Sequence, residues 1–272
     1  MVVQHNLTAM NSNRMLGVTT ASQAKSTEKL SSGYKINRAA DDAAGLAISE
    51  KMRRQVRGLT QAVANAQDGI SCVQTAEGAL NEVHDMLQRM NELAVKAANG
   101  TNQTEDRSYI QLEVAQLQSE IDRVSQTTTF NERNLLGGSF TNVGLQVGAE
   151  GDASNQIKLT IGTISSTGLS IDDVDVSSIN SAQEAISKIK TAISTLNEQR
   201  ATLGAVQNRL EHTINNLNNV VENTTSAESQ IRDTDMAAEM VKYSNNNILA
   251  QAGQAMLAQA NQSNQGVLSL LG

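Results

Sequence analysis

The 272-residue chain contains no proline and no tryptophan, and aromatic residues make up only 2% of it. Phe, Tyr and Trp supply much of the buried area of a thick globular core, so their scarcity argues against an ordinary compact globule. The lack of proline removes the commonest helix breaker. Both features favour long helices that pack along narrow seams of Ala, Leu, Ile, Val and Met.

Charge and cysteine content exclude further classes of protein. The net charge of −7 argues against a nucleic-acid partner, which would require basic patches. The single cysteine, Cys72, cannot form a disulfide within the chain, and its neighbours Ile70 and Val73 predict a small buried hydrophobic residue. No run reaches the ~18 apolar residues of a membrane span, and the first residues lack the pattern of a cleaved signal peptide.

Apolar residues recur at alternating steps of three and four along several segments, which is typical of a coiled-coil seam. In the longest segment these positions are Val73, Ala76, Leu80, Val83, Leu87, Met90, Ala94 and Ala97. The same rhythm recurs in residues 110–124 and 186–196. Because such seams must be buried against one another or against other copies, the pattern indicates a building block and not a catalyst.

Local signals mark where the helices begin and end. Gly33 reads as a helix stop, Asp41 and Asp42 as the N-cap of a second helix, and Gly100 as its C-terminal cap. A third helix begins near Thr104, and helix resumes at residue 181 after the middle of the chain. As paired acids, Asp41 and Asp42 also suggest catalysis, but without a nearby His the cap is the better interpretation.

The apolar period changes to two in the middle of the chain, which predicts a β-hairpin. The alternating positions are Val143, Leu145, Val147, then Ile157, Leu159 and Ile161. A loop rich in Ser, Thr, Gly and Asp follows, to about residue 178.

Both ends of the chain are rich in Asn, Gln, Ser and Ala, yet each keeps a recurrent apolar face. Segments with so little large apolar surface struggle to offset an ordering entropy of ~1–2 kcal/mol per residue. The prediction is that these ends become ordered helices only when neighbours bury both faces.

The sequence offers no catalytic constellation, cofactor motif or metal site. His5, His84 and His212 lie in different segments without metal-ligand spacing. The Gly137–Gly138 pair lacks the lysine of a phosphate loop, and no serine sits in a nucleophile elbow. We therefore expect a protein that is not an enzyme and has no cofactor.

Long blocks at both ends resemble bacterial flagellins. The N-terminal blocks are NLTAMNSNRML, KLSSGYKINRAADDAAGLAISEKMRRQVRGL, AEGALNEVHDMLQRMNELAVKAANGTN and IDRVSQTTTFNERNLL. The C-terminal blocks are LGAVQNRLEHTINNL and AESQIRDTDMAAEMVKYSNNNILAQAGQAMLAQANQSNQGVLSLL. Only the region from about residue 139 to residue 180 is not diagnostic of the family.

The resemblance implies a mainly α protein with long helices packed as a coiled-coil rod and a small β-hairpin. Residues 1–43 and 227–272 would form an inner terminal coiled-coil domain, and residues 44–138 and 181–226 a helical rod. Residues 139–180 would be a short variable hairpin region, without the large outer domains of many flagellins, because a domain usually needs at least ~50 residues.

The resemblance also implies bacterial partners. The chain would polymerise with itself into the flagellar filament used for motility, under a cap protein and next to hook-associated proteins. It would be secreted through the flagellar type III export channel, bound at its C-terminal helix by an export chaperone. The residues expected in the terminal coil and the chaperone contact are Leu249, Met256, Val267, Leu268, Leu270 and Leu271.

Host innate immune receptors are implied as well. The pattern contacted by Toll-like receptor 5 in many flagellins matches Gln88, Arg89, Leu93 and Glu113, and an exposed Leu93 would share a helix face with Arg89. These residues could equally make subunit contacts. Lys96 replaces a commonly neutral residue, and Cys72 is unusual for the family. The C-terminal end similarly suggests NAIP-type sensors.

Two other functions stay open at the level of sequence. A hook–filament junction adaptor shares the helical ends, although the nearly complete flagellin-like blocks argue against it. A secreted interaction protein or enzyme with a coiled-coil stalk would need a site in residues 139–180, which contain no His, Cys or Arg.

Overall fold

The structure is a computed structural model that describes residues 6–268, without the side chains of residues 264–268. Within these residues, five α-helices and four short strands follow one another. They are α1 Leu7–Ser32, α2 Ala43–Ala97, α3 Thr104–Thr127, β1 Thr129–Phe130, β2 Arg133–Asn134, β3 Val143–Gln146, β4 Gln156–Leu159, α4 Ile179–Arg232 and α5 Met236–Leu268. A mainly α fold with a small hairpin was predicted and is confirmed.

The residues group into two units. The first unit is Met1–Arg54 together with Glu222–Gly272, and the second is Gln55–Val221. Helices α2 and α4 each contribute to both units. The domain boundaries expected from the sequence, after residues 43 and 226, stay predictions.

In the first unit, a short connector joins α1 to α2. Helix α1 ends where Gly33 takes a left-handed conformation, with φ of 76°, and donates its N–H to the Lys29 carbonyl. The connector then pairs with the chain between α4 and α5. Lys35 N donates to the Arg232 carbonyl over 2.7 Å, and Thr234 N donates to the Gly33 carbonyl over 2.9 Å. The predicted helix stop at Gly33 is confirmed.

The two predicted capping acids have different roles. Asp42 caps α2, because its Oδ1 accepts from Gly45 N over 2.9 Å. Asp41 holds the connector by accepting from the backbone N–H groups of Asn37 and Arg38, and it pairs with Lys25 at 2.9 Å. The hydrogen bond from Lys25, followed by that from Arg38, lowers the pKa of Asp41 to about 2.

In the second unit, the seam of α2 forms the core together with α3 and α4. Every predicted seam position from Val73 to Ala97 is fully buried, as are Val114 and Ile121 of α3. The facing residues of α4 are Ala182, Ala185, Ile189, Ala192, Leu196 and Leu203. The hairpin is also confirmed, because β3 and β4 pair antiparallel with Val143 opposite Leu159 and Leu145 opposite Ile157. Cys72 is buried as predicted, and burial raises the pKa of its thiol.

The segment that follows the hairpin is part of the core, although its composition predicted only a polar loop. Its buried apolar residues are Ile161, Ile164, Leu169, Ile171, Val174 and Val176. Side chains of α3 hold its backbone in place. Asp122 accepts from Ser166 N over 2.7 Å, and Gln118 Nε2 donates to the Ile171 carbonyl over 2.5 Å. The loop therefore covers the helices at a fixed position.

The α2–α3 turn differs from the prediction of a glycine cap at Gly100. Among the described residues the only glycines with positive φ are Gly33 and Gly138, and α2 ends at Ala97. The buried Arg107 of α3 takes the place of the glycine cap. Its Nε donates to the Ala97 carbonyl over 2.9 Å, and its Nη2 donates to the Asn99 carbonyl over 3.0 Å. Side-chain donors thus satisfy carbonyls that the helix leaves open.

Candidate interaction surfaces

Arg89 and Glu113 meet across the faces of α2 and α3. Arg89 Nε lies 2.9 Å and its Nη2 2.8 Å from Glu113 Oε1, and Arg89 Nη1 lies 3.2 Å from Glu92 Oε2. The hydrogen bond from Glu113, and then that from Glu92, raises the pKa of Arg89. Both partners stay about half exposed, so this ion-paired cluster is available to a binding partner.

The other two predicted receptor-contact residues have different environments. Gln88 is exposed, and its Nε2 lies 2.9 Å from His84 Nε2. Leu93 is only 3% exposed and belongs to the core of the second unit. The expectation of an exposed Leu93 beside Arg89 was wrong, because the buried stripe of α2 extends beyond the heptad seam and includes the residue next to Ala94.

Exposed apolar side chains near Glu113 were missed by the sequence reasoning. Tyr109 and Leu112 of α3 are 70% and 63% exposed, and Tyr109 lines a cleft of about 420 Å³ with Lys96 and Glu113. Leu112 falls outside the apolar rhythm of α3, which runs through Ile110 and Val114. Its position outside the seam could therefore have predicted that Leu112 is exposed.

In the first unit, α1 and α5 run antiparallel. Asn6 Nδ2 donates to the Ala260 carbonyl over 3.0 Å near one end of the pair. Near the other end, Ser26 Oγ donates to Glu239 Oε1 over 2.7 Å, and both residues are buried. The hydrogen bond from Ser26 is the main cause that lowers the pKa of Glu239.

The terminal helix pair leaves many large apolar side chains exposed. Leu249 and Met256, predicted for the terminal coil, are 57% and 62% exposed and line a groove of about 320 Å³ with Met15 and Leu16. Other exposed apolar residues of α1 and α5 are Leu7, Met10, Val18, Met236, Met240, Val241 and Ile248. Such a surface is unusual for a protein that acts alone and marks an interaction site.

The remaining four predicted terminal residues cannot be placed at this surface. Leu270 and Leu271 lie outside the described residues, as do the side chains of Val267 and Leu268.

In the described part of the chain, no candidate metal centre accompanies these surfaces. Within it, no group of three or more His, Cys, Asp or Glu could hold a metal ion. Across the same residues, no helix is long and apolar enough to cross a membrane. The described surfaces consist of helix faces that carry exposed apolar side chains and exposed ion pairs.

Comparison with known protein families shows which family has these N-terminal and C-terminal helices. The family model of the bacterial flagellin N-terminal helical region matches residues 3–141, and that of the C-terminal helical region matches residues 186–271. The chain belongs to the bacterial flagellin family. This flagellin is 52% identical over 271 residues to a flagellin of Halalkalibacterium halodurans, with all of both chains covered. It therefore shares the short form without a large outer domain.

Two further relatives extend the comparison. The flagellin is 50% identical over 287 residues to the flagellar filament 33 kDa core protein of Treponema phagedenis, again over all of both chains. Among solved structures, the Bacillus cereus flagellin crystal structure is 33% identical and has a TM-score of 0.50. It covers 57% of this chain and 88% of its own. The family is a structural one, in keeping with the surfaces described.

Proposed function

We propose that this flagellin is the subunit that polymerises into the bacterial flagellar filament and so serves swimming motility. The observation that carries the proposal is the terminal helix pair, which exposes Leu249, Met256 and Met15 where a self-sufficient protein would bury them. Other copies of the chain would cover this surface. The names of the full-length relatives, flagellin and flagellar filament core protein, support the same function.

No observation favours the hook–filament junction adaptor over this function. A junction protein would serve in few copies, whereas a filament subunit serves in many. Full-length identity near 50% to named filament proteins therefore favours the filament.

Assembly is expected to order the ends of the chain. Burial of apolar surface stabilises a protein by about 25 cal/mol per Å². The exposed apolar residues of α1 and α5 contribute this stabilisation only when neighbouring copies bury them. In the free subunit the pair must offset the ordering entropy while these large apolar side chains stay exposed. We infer that α1 and α5 fray in the free subunit and become fully helical in the polymer.

Seeded growth tests the proposal. Purified subunit is added to sheared filament fragments and followed by negative-stain electron microscopy and circular dichroism. We expect uniform filaments and a rise in helicity as the subunit is consumed. Unseeded subunit at the same concentration is the control. A subunit that stays monomeric with unchanged helicity would contradict the filament function and favour a junction adaptor.

The remaining bacterial partners follow from the same proposal. The chain would be exported through the flagellar type III channel to the cell exterior and would assemble under the filament cap next to hook-associated proteins. The exposed face of α5 that carries Leu249 and Met256 suits an export chaperone, since an amphipathic helix binds by laying its apolar face in a groove.

We also propose that Toll-like receptor 5 binds the cluster around Arg89. Gln88, Arg89 and Glu113 supply the exposed polar contacts, while the buried Leu93 supports the helix face from below. The C-terminal end, which lies outside the described residues, would serve NAIP-type sensors.

Charge removal tests the receptor contact. Arg89→Ala is expected to lower receptor activation about tenfold or more, because arginines at interface centres commonly dominate binding energy. Arg123→Ala is the matched control, since Arg123 is also an exposed, ion-paired arginine. Equal activation by the two variants in a receptor reporter assay would contradict the placement. Leu93→Ala is unsuitable because it opens a cavity in the core.

A further inference from the structure

The second unit contains a polar groove that is separate from the surfaces described above. It lies between the hairpin and α4, and its volume is about 780 Å³. Val147, Ile157 and Leu217 contribute apolar lining, and Arg209, His212 and Asn208 contribute polar groups. None of the lining residues is acidic. The groove therefore offers hydrogen-bond donors and one fixed positive charge, which suit a carboxylate.

Arg209 is the residue that gives the groove its charge. Within the described residues its guanidinium makes neither an ion pair nor a side-chain hydrogen bond, and the residue is exposed. Arg89 and Arg123, in contrast, are each paired with glutamates on the same unit. The Arg209 guanidinium, which lines the groove together with apolar side chains, is therefore available to bind a partner's carboxylate.

The same unit carries an acidic loop, which we define as Asp172, Asp173 and Asp175. All three aspartates are exposed, and the side chain of Asp173 is 92% exposed. The carboxylate of Asp172 has no partner among the described residues.

The acidic loop has a fixed position, which allows it to serve as a contact. Val176 N donates to Gln111 Oε1 over 2.7 Å, and the Ser177 N–H and hydroxyl each donate to Asp175 over 2.9 Å. Lys188 Nζ donates to the Asp173 carbonyl over 3.0 Å and so holds the loop beside α4. Little ordering entropy would therefore be lost when the loop binds.

The two patches are far apart on one unit. Lys188, beside the acidic loop, and His212, in the groove, are about two dozen residues apart on the continuous α4, which corresponds to ~36 Å at the rise of an α-helix. They therefore cannot meet within one chain. Two different, complementary patches on one body can meet only between copies, and a head-to-tail contact of this kind can repeat along an open polymer.

We propose that the acidic loop of one copy docks into the Arg209 groove of a second copy, with the Asp172 carboxylate facing the Arg209 guanidinium. The contact is one specific subunit interface and rests on the proposed filament function. Partly exposed charge pairs of this kind act mainly on the association rate and its salt dependence. The docking contact thus sets how fast and in which register a subunit joins.

Charge reversal and charge exchange test the contact in the full-length chain. Arg209→Glu and Asp172→Arg are each expected to raise the critical concentration for seeded growth about three- to tenfold at low salt. The double variant, which restores opposite charges with exchanged positions, is expected to return within about twofold of the unmodified chain. Arg209→Gln should show a smaller increase than Arg209→Glu, because it removes the attraction without adding repulsion.

Lys190→Glu is the matched control. Lys190 lies on α4 but is rotated about 200° from Lys188, so it points away from the acidic loop. It is expected to leave the critical concentration within about twofold of the unmodified chain. The effects of Arg209→Glu and Asp172→Arg should shrink as ionic strength rises, since salt screens exposed charges. Circular dichroism confirms that each variant stays folded.

The outcomes separate the two proposals. If the unmodified chain extends seeds and Arg209→Glu extends them equally well at low salt, the docking contact is overturned and the filament function stands. A double variant that grows no better than the single variants also overturns the contact, as does a Lys190→Glu variant that is equally impaired. An unmodified chain that fails to extend seeds overturns both proposals.

Discussion

Removing residues 231–272 is expected to abolish polymerisation while leaving a soluble helical rod. The deletion removes α5 and with it the partner of α1, so the terminal helix pair cannot form. The core of the second unit, from Val73 of α2 to Leu203 of α4, takes no residue from the deleted segment. Seeded growth should fall to nothing, and thermal unfolding followed by circular dichroism should still show a cooperative helical transition.

Point variants locate this effect at the exposed apolar face. The double variant Leu249→Asp/Met256→Asp places charges where a neighbouring copy would bury apolar surface, and we expect at least a tenfold rise in critical concentration. Gln254→Asp is the matched control, since it adds a charge to an exposed polar position of the same helix. Filaments formed by the truncated chain would show that the terminal pair is dispensable for assembly.

Replacing Arg107 by Ala is expected to lower the free energy of unfolding by about 2–4 kcal/mol. The guanidinium is buried and donates to the carbonyls of Ala97 and Asn99 at the end of α2. Without it the buried Ala97 carbonyl loses its charged donor, and the Asn99 carbonyl keeps only the N–H of Asn102. Arg107→Lys should lie in between, because an ammonium keeps the charge but not the fork that reaches two acceptors.

Urea unfolding followed by circular dichroism measures this loss. Arg123→Ala on the same helix is the control, because its ion pair with Glu120 is exposed and should contribute at most about 1 kcal/mol. Similar losses for both variants would mean that the Arg107 hydrogen bonds contribute no more than a surface pair.

The parts of the fold that follow a repeating pattern could be predicted from the sequence. The seam of α2 repeats in steps of three and four from Val73 to Ala97. This spacing alone predicts that the seam residues lie on the buried face, whatever the neighbouring elements are. The hairpin repeats in steps of two, which places Leu145 and Ile157 on one side. Asp42 could be recognised as an N-cap because capping depends only on residues three apart.

Features that depend on contacts between distant segments could not be predicted. The residues of the loop after the hairpin, such as Ile164 and Ile171, are spaced irregularly, because each is buried by a separate contact with the helices. Arg107 caps a helix that is not its own. Leu93 is buried because the packed stripe of α2 is wider than a two-position seam, and only the neighbouring elements determine that width.

The buried hydrogen bond between Ser26 and Glu239 has a consequence for periodicity. A slide of α1 along α5 by one helical turn, ~5.4 Å, would separate Ser26 from Glu239. Such a slide would leave the buried Glu239 carboxylate without the Ser26 hydroxyl, its closest hydrogen-bond donor, which is costly. The hydrogen bond thus fixes the axial offset between α1 and α5. Because every copy has the same offset, we expect an array of copies to have a constant repeat distance.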